Sequence, residues 1–284
     1  MLHTISDRDP ILLGRAARPA PSARNGQGLL QCLQSLAETT ASALDATPPL
    51  RQRVAAGTIL LHEGAAARHV CVVLAGTFKS VKTGDDGYEH VLGFSMRGDL
   101  LGYDGLASGE YASAAVALED SVVFVLPLRQ LEQLRHADAC FDQALQTALS
   151  RQMSRATELA ELMSAVAADA RLARFLLHLS ARMEEQGLSP RRLLLRMNRR
   201  EIASHLGVAH ETVSRSFGLL ADRGYLCVDN RAIEIVDKEG LRAHAHCTRG
   251  PADDAPRVAQ PSAPGVSRSS ANGSRSRWRA AAAA

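Results

Sequence analysis

The sequence predicts an α+β chain made of an N-terminal antiparallel β-roll, a long linking helix and a C-terminal winged helix-turn-helix. Three observations carry this reading. Between residues 50 and 128 short β-type runs alternate with glycine turns; from Phe141 to Val166 apolar residues recur at a helical period; and from 198 to 236 a capped helix, a glycine turn, a second helix and two short strands follow one another. At 284 residues the chain has room for two domains, each with its own core.

Residues 1–49 read as a variable extension, mixing Pro, Ala, Ser and Gly, with one modest helical stretch near 29–44. A β-roll domain follows over 50–135. Its runs fall at 58–61, 70–74, 77–82, 90–94, 113–118 and 121–126, and its turns at Gly57, Gly64, Gly76, Gly84-Asp85-Asp86-Gly87, Gly98-Asp99 and Gly102. Many short strands with regular glycine turns close a small antiparallel barrel or sandwich. A helix is predicted over 136–168, because Phe141, Leu145, Leu149, Met153, Ala156, Leu159, Met163 and Val166 form one stripe in steps of about 3.6 residues. A helix that long between two compact regions has little of its own domain to pack on. Pairing with the same helix of a second subunit solves this, and folding back onto its own barrel is the other solution.

The domain over 169–249 begins with a helix over 169–185 that carries Leu172, Leu176, Leu179 and Met183 on one face and stops at Gly187. A short strand is expected at 193–197. Asn198 and Glu201 then form a capping box that opens a helix over 199–206, followed by the turn Gly207-Val208-Ala209 and a second helix over 210–223. Ile202, Leu206, Val213, Phe217 and Leu220 supply a shared core, with Ala203 and Gly207 small where the helices cross. Segments 225–228 and 232–236, around Asp229-Asn230-Arg231, read as a two-stranded wing. The tail over 250–284 has almost no large apolar residue and is predicted to be disordered.

The net charge of +3 conceals an asymmetry. Residues 1–168 sum to −4, 169–249 to +4 and 250–284 to +3, so the positive charge lies in the C-terminal part. Lysine occurs only at Lys79, Lys82 and Lys238, which makes nearly every basic residue an arginine, the side chain suited to forked contacts with phosphate and guanine. These features point to nucleic acid as partner. No run of 18 apolar residues exists and the start, MLHTISDRDP, lacks the basic-then-apolar order of a secretory signal, so no membrane partner and a cytoplasmic location are expected. Cys32, Cys71, Cys140, Cys227 and Cys247 are scattered without a C-x-x-C pair, against a disulfide framework or a four-thiolate metal site.

On the second helix of the helix-turn-helix, Val213, Phe217 and Leu220 occupy one side, and Glu211, Ser214 and Arg215 project from the other near the N-terminus. Arg215 can donate two hydrogen bonds to guanine O6 and N7, Glu211 can accept from a cytosine amine, and Ser214 offers a hydroxyl and a small surface for a thymine methyl. Arg199, Arg200, Thr212 and Arg231 are the candidate contacts to the DNA backbone, which give affinity and register without sequence information. The bland alternative is a helical hairpin whose polar face is only solvated.

A β-roll, a long helix and a winged helix-turn-helix in this order resemble the CRP/FNR family of bacterial transcription regulators over about residues 50–245. The β-roll is then cyclic-nucleotide-binding-domain-like. Within the family, His210-Glu211-Thr212-Val213-Ser214-Arg215 is similar to the FNR/FixK branch, with its E-x-x-S-R spacing; the cyclic-AMP branch has arginine where His210 stands. The resemblance implies a homodimer that binds double-stranded DNA at inverted repeats of TTGAT-like half-sites, in the oxygen, nitrogen-oxide or respiratory response. It also implies a contact with RNA polymerase from the barrel surface, for which Asp85 and Asp86 are the candidates beside the plainer reading of a solvated hairpin tip.

No cofactor is expected. Iron–sulfur members of the branch use three clustered N-terminal cysteines and one in the barrel, whereas this chain has only Cys32 near its N-terminus and Phe124 where the barrel cysteine belongs. The family's cyclic-nucleotide cassette needs Gly-Glu-Leu and a later Arg-Ser; here stand Gly102-Tyr103-Asp104 and Ala112-Ser113, with no arginine for the phosphate. His62, His69 and His90 raise a cupin-like metal site, but the only H-x-H is His244-Ala245-His246 beside Cys247, so no metal and no catalytic residues are assigned and the chain is not read as an enzyme. The competing functional reading is a regulator whose β-roll binds a small effector or haem, or whose thiols sense redox state.

Overall fold

The structure is a computed structural model that describes residues 28–40, 50–164 and 167–246. Helix α1 (Gly28–Thr40) precedes strands β1 (Leu50–Val54), β2 (Ile59–Leu61), β3 (His69–Ala75), β4 (Phe78–Thr83), β5 (Glu89–Ser95) and β6 (Leu100–Leu101), a 3-10 turn (Tyr103–Leu106), β7 (Ala114–Ala117) and β8 (Ser121–Pro127). Two antiparallel four-stranded sheets result, in the orders β1-β8-β3-β6 and β2-β7-β4-β5. Strand β3 shows why its segment reads as an unbroken apolar run. Cys71 and Val73 face the opposite sheet with Phe78, Leu101 and Val123, while Val70 and Val72 face the helices outside. The turn at Gly76 has φ +96°, and a Cβ there would strike Ser121, so only glycine fits.

Two segments differ from the sequence expectation here. Strand β1 was not predicted, because Leu-Arg-Gln-Arg-Val has no alternating apolar face; it is an edge strand whose pairing with β8 rests on the backbone ladder. The extension is more than a variable arm. Leu29, Leu30 and Leu33 of α1 are fully buried against Phe141 and Leu145, closing the outer face of the β1-β8-β3-β6 sheet. Residues 1–27 and 41–49, with the end of the helix expected to 44, lie outside the described residues.

The linking helix expected over 136–168 is one helix among the described residues, preceded by a shorter one. After α2 (Leu128–Ala137), Asp138 breaks the chain and its carboxylate accepts hydrogen bonds from the backbone N–H groups of Cys140 and Phe141, capping α3 (Ala139–Ser164). The apolar stripe also divides. Phe141 and Leu145 are buried in the chain's own core, the second of the two packing solutions; further along, Met153 is 74% exposed and Ala156 and Met163 are exposed with it. Val166 lies outside the described residues.

The remaining elements are α4 (Ala168–Glu185), β9 (Arg192–Leu194), α5 (Arg199–Leu206), α6 (His210–Asp222), β10 (Leu226–Asp229), β11 (Ala232–Ile235) and α7 (Lys238–His246). Helix α4 ends as predicted at Gly187, φ +73°, with Leu188 N–H donating to the Met183 carbonyl. The three-stranded sheet β10-β11-β9 forms the wing. The expected strand at 193–197 is shorter and begins one residue earlier. The C-terminal domain shares a core with the barrel: Val81, Val91 and Phe94 from the β4–β5 hairpin pack with Leu162, Phe175, Leu176 and Ile202. Strand β5 is a sheet edge, and α5 covers it. The Val91 N–H donates to Ser204 Oγ at 3.0 Å, Ser204 Oγ donates to the Glu89 carbonyl at 3.1 Å, and His205 Nδ1 lies 3.3 Å from the Val91 carbonyl.

Two measurements test this packing. Leu33→Ala, at a fully buried position of α1, should cost about 2–5 kcal/mol in urea unfolding; a loss within error would show that α1 does not close the core. Burial between Phe94 and Phe175 holds the His205 imidazole below its ordinary range. The unfolded chain therefore takes up a proton that the folded chain refuses, and stability should fall as pH drops below about 6.5. His205→Gln should flatten that slope, leaving the contribution of His69, which burial lowers in the same direction.

Candidate nucleic-acid interface

The capping box forms as its spacing requires: the Glu201 N–H donates to Asn198 Oδ1 at 2.9 Å and the Asn198 N–H donates to Glu201 Oε2 at 2.8 Å. This starts α5 at a fixed residue. Gly207, φ +62°, ends it, and its N–H reaches back to the Ser204 carbonyl. Helix α6 then leaves at Ala209 and is clamped by the burial of Val213, Ser216, Phe217 and Leu220.

Burial of that side turns the other outward. Glu211, Ser214 and Arg215 are all exposed on the first two turns of α6, the Glu211 side chain to 76%. Each is lightly held: Ser214 Oγ donates to the His210 carbonyl at 3.3 Å, Arg215 Nη2 donates to Thr212 Oγ1 at 3.4 Å, and Glu211 lies 3.6 Å from His210 Nδ1. Hydrogen bonds from its own backbone N–H and from His210 keep the Glu211 carboxyl below the usual carboxylate range, so it stands ready as an acceptor. Thr212 is half-buried beside them; Arg200 and Arg231 are exposed at the start of α5 and at the wing turn.

Arg199 is placed differently from the phosphate contact expected of it. Its guanidinium lies 3.4 Å over the Phe217 ring, and its Nη2 donates to the Asn230 carbonyl at 2.9 Å. Its Nη1 is buried, and desolvation lowers its pKa. The residue ties the wing turn, where Asn230 has φ +51°, to α6. A charge beside a cap reads as a surface charge in sequence; only the arrival of Phe217 and Asn230 from other elements makes it internal.

Sequence reasoning missed the residues that orient this surface on the barrel. Asp99, 7% exposed, accepts from Met96 N–H, from Arg155 Nη1 on α3 and from Arg182 Nη2 on α4, while Lys79 pairs with Glu201 and Arg196 with Glu119, each at 3.0 Å. These partners are far apart in the chain and leave no local signature. Asp85 and Asp86 are exposed at the β4–β5 tip, where Asp86 Oδ1 accepts from the Tyr88 N–H.

The segment that would hold a cyclic nucleotide does not fit one. Asp104 stands in it as a carboxylate already accepting from the Gly105 N–H and Ser113 Oγ, and the buried Tyr111 ring packs against Gly102. No arginine occurs from 102 to 113. His62, His69 and His90 are not brought together with a third ligand; among the described residues no group of three His, Cys, Asp or Glu has a metal-binding arrangement. Burial pushes the Cys71 thiol up to about 12, making it a core group. Cys32 is buried too, Cys227 is exposed on the wing, and Cys247 lies outside the described residues.

A capped helix-turn-helix with a wing, its polar face free and its back fused to a β-roll, defines a DNA-binding regulator. Residues 51–138 match the family profile "Cyclic nucleotide-binding domain" and residues 170–244 match "Crp-like helix-turn-helix domain". The chain is 34% identical over 193 residues to the fumarate and nitrate reduction regulatory protein of Salmonella typhimurium, covering 68% of this chain and 77% of that one. It is 32% identical over 199 residues to the transcriptional regulatory protein btr of Bordetella pertussis, covering 70% and 82%. Among solved structures, FixK2 from Bradyrhizobium japonicum superposes with a TM-score of 0.61 at 26% identity, over 69% of this chain and 96% of that one. The chain belongs to the CRP/FNR family of transcription regulators, and membership carries DNA binding and dimer formation. No helix among the described residues is long and apolar enough to cross a membrane.

The different placements of Arg199 and Arg200 lead to opposite expectations. Arg200→Ala should reduce the slope of log affinity against log salt by about one. Arg199→Ala should leave that slope unchanged and instead lower the urea midpoint. Equal slopes for both variants, measured by fluorescence anisotropy on DNA over a salt series, would overturn the assignment.

Proposed function

We propose that this regulator binds, as a homodimer, inverted repeats of TTGAT-like half-sites and acts in the oxygen, nitrogen-oxide or respiratory response from the cytoplasm. The observation that carries the proposal is the co-exposure of Glu211, Ser214 and Arg215 on one face of α6, in the E-x-x-S-R order of the FNR/FixK branch. The similarity to the fumarate and nitrate reduction regulatory protein and to FixK2 supports it. The exposed second half of α3, with Met153, Ala156 and Met163, offers the face on which two copies pair, setting the two recognition helices about one helical turn of DNA apart. Arg200, Thr212 and Arg231 are the backbone contacts in this reading. Asp85 and Asp86, on an exposed hairpin tip, are the proposed contact with RNA polymerase.

The proposal includes no iron–sulfur cluster and no cyclic nucleotide. Asp104 and Tyr111 argue against the nucleotide; the scatter of the cysteines argues against the cluster. No catalytic role is proposed.

Gel shifts on a TTGAT–ATCAA palindrome and on a scrambled duplex test the reading directly. Preference for the palindrome is expected, and equal affinities would sink it. Arg215→Ala should weaken specific binding by about 1–3 kcal/mol and relax the preference at the half-site guanine; retained discrimination would remove Arg215 from the base-reading set.

A further inference from the structure

DNA reading leaves the H-x-H sequence of α7 unused, yet the structure encloses its first histidine within the C-terminal domain. The His244 side chain is 9% exposed and lies against the joint where α6 turns into the wing. That joint is Arg223-Gly224-Tyr225. Arg223 caps α6, Gly224 takes the left-handed conformation with φ +76°, and the Tyr225 carbonyl accepts from the Val236 N–H just past β11. Both DNA-facing elements, the helix and the wing, therefore depend on these three residues for their relative placement.

His244 is bonded at both ring nitrogens. Arg223 Nη1 lies 2.7 Å from Nδ1, and Asp169 Oδ2 lies 2.9 Å from Nε2. A guanidinium can only donate, so Nδ1 is the acceptor, and the single ring proton sits on Nε2 and is donated to the carboxylate. The partners thus select a neutral ring in one tautomer. Asp169 stands in the first turn of α4, so one imidazole ties the joint of α6 and the wing to the start of the domain. Helix α7 is itself held by Arg174, whose Nε donates to the Ala245 carbonyl at 2.7 Å and whose Nη1 donates to the Glu161 carbonyl of α3 at 2.5 Å. The charged and titratable groups around the ring are Asp169 and Arg174 from α4, Arg223 from the end of α6, and Tyr225, whose ring centroid is 5.8 Å away. On its own helix, Arg242 is paired with Glu239.

We propose that His244 is a positioning residue for DNA recognition, holding α6 and the wing in their DNA-reading arrangement only while its ring is neutral. A second proton on the ring occupies Nδ1 and points at the Arg223 N–H, replacing a hydrogen bond by two opposed donors and two like charges. Asp169 keeps its bond from Nε2–H. The bond that breaks is the one to Arg223, which is exposed and is hydrated once it leaves the ring. The joint then loses its tie to α4. Because the DNA-reading arrangement holds one proton fewer, affinity for DNA falls as pH falls through the range in which imidazoles titrate. The inference rests on α6 being the helix that reads the half-site, while the state of the ring is observable without DNA.

Nitrogen NMR of the full-length protein at about pH 8 should show the His244 ring protonated at Nε2 and bare at Nδ1. Between about pH 8 and pH 6, fluorescence anisotropy on the TTGAT–ATCAA palindrome should show the wild type losing about fivefold more affinity than His244→Gln. His210, exposed at the start of α6, titrates in both proteins and cancels from the comparison; circular dichroism checks that each protein is folded across the range. Arg223→Gln, whose amide can turn to donate to Nδ1 or to accept from it, should also lose the pH-dependent part. Asp169→Asn should keep it but move its midpoint about half a pH unit lower, since the carboxylate charge no longer favours the imidazolium. A residue that merely supported the fold would lower affinity equally at every pH. Parallel pH profiles in the wild type and His244→Gln, a retained pH-dependent part in Arg223→Gln, a midpoint moved upward in Asp169→Asn, or a proton on Nδ1 at about pH 8 would each overturn the proposal. Equal binding of the palindrome and a scrambled duplex by the wild type would sink the half-site reading instead; the ring tautomer and the pH comparison on either duplex would still decide the role of His244.

Discussion

Asp99 leaves the turn between β5 and β6 almost fully buried and meets a guanidinium from α3 and another from α4. Three parts of the molecule thus converge on one carboxylate. Burying such charges costs several kcal/mol of desolvation, so the triad is weak as a source of stability. What it provides is position: removing the carboxylate leaves two arginines facing each other, and moving α4 away from the barrel strips Arg182 of its carboxylate. The orientation of α6, three elements further along the chain, follows from where α4 is held.

Around this point the barrel and the C-terminal domain behave as one packed body. Covering the β5 edge with Ser204 and His205 satisfies backbone groups that would otherwise invite another strand. The shared core behind them, with Phe94, Phe175 and Ile202, adds apolar area but little direction. Direction comes from Lys79–Glu201 and Arg196–Glu119, which tie the first turn of α5 and the approach to it onto the barrel. Glu201 does two things at once, closing the capping box and pairing with Lys79, so helix start and domain placement depend on the same side chain.

The DNA-facing surface shows the opposite economy. Glu211, Ser214 and Arg215 make only long or local hydrogen bonds, so they are free to exchange them for base edges. Arg199 shows how sequence position misleads: it stands beside Arg200 and shares its charge, yet one is stacked in the fold and the other faces solvent. Affinity and scaffold are separated by a single residue step because successive helical residues point about 100° apart.

Local rules were enough for the helix-turn-helix, the capping box, the αL ends at Gly187 and Gly207, and most barrel strands, since each depends on residues within a few positions. The recognition triad was legible for the same reason, from the spacing of Val213, Phe217 and Leu220 on the opposite face. Strand β1 and the docking of α1 were not, because Leu50–Val54 has no apolar alternation and the Leu29–Leu33 stripe gives no hint of its partner. Nor were the division of the long stripe into a buried and an exposed half, the internal role of Arg199, and the convergence of Asp99, Arg155 and Arg182. The sequence by itself determined most of the elements and which face of α6 is polar. Tertiary structure alone decided which charges are buried together and how the two domains meet, because those contacts join residues 56 and 83 positions apart and no local pattern encodes them.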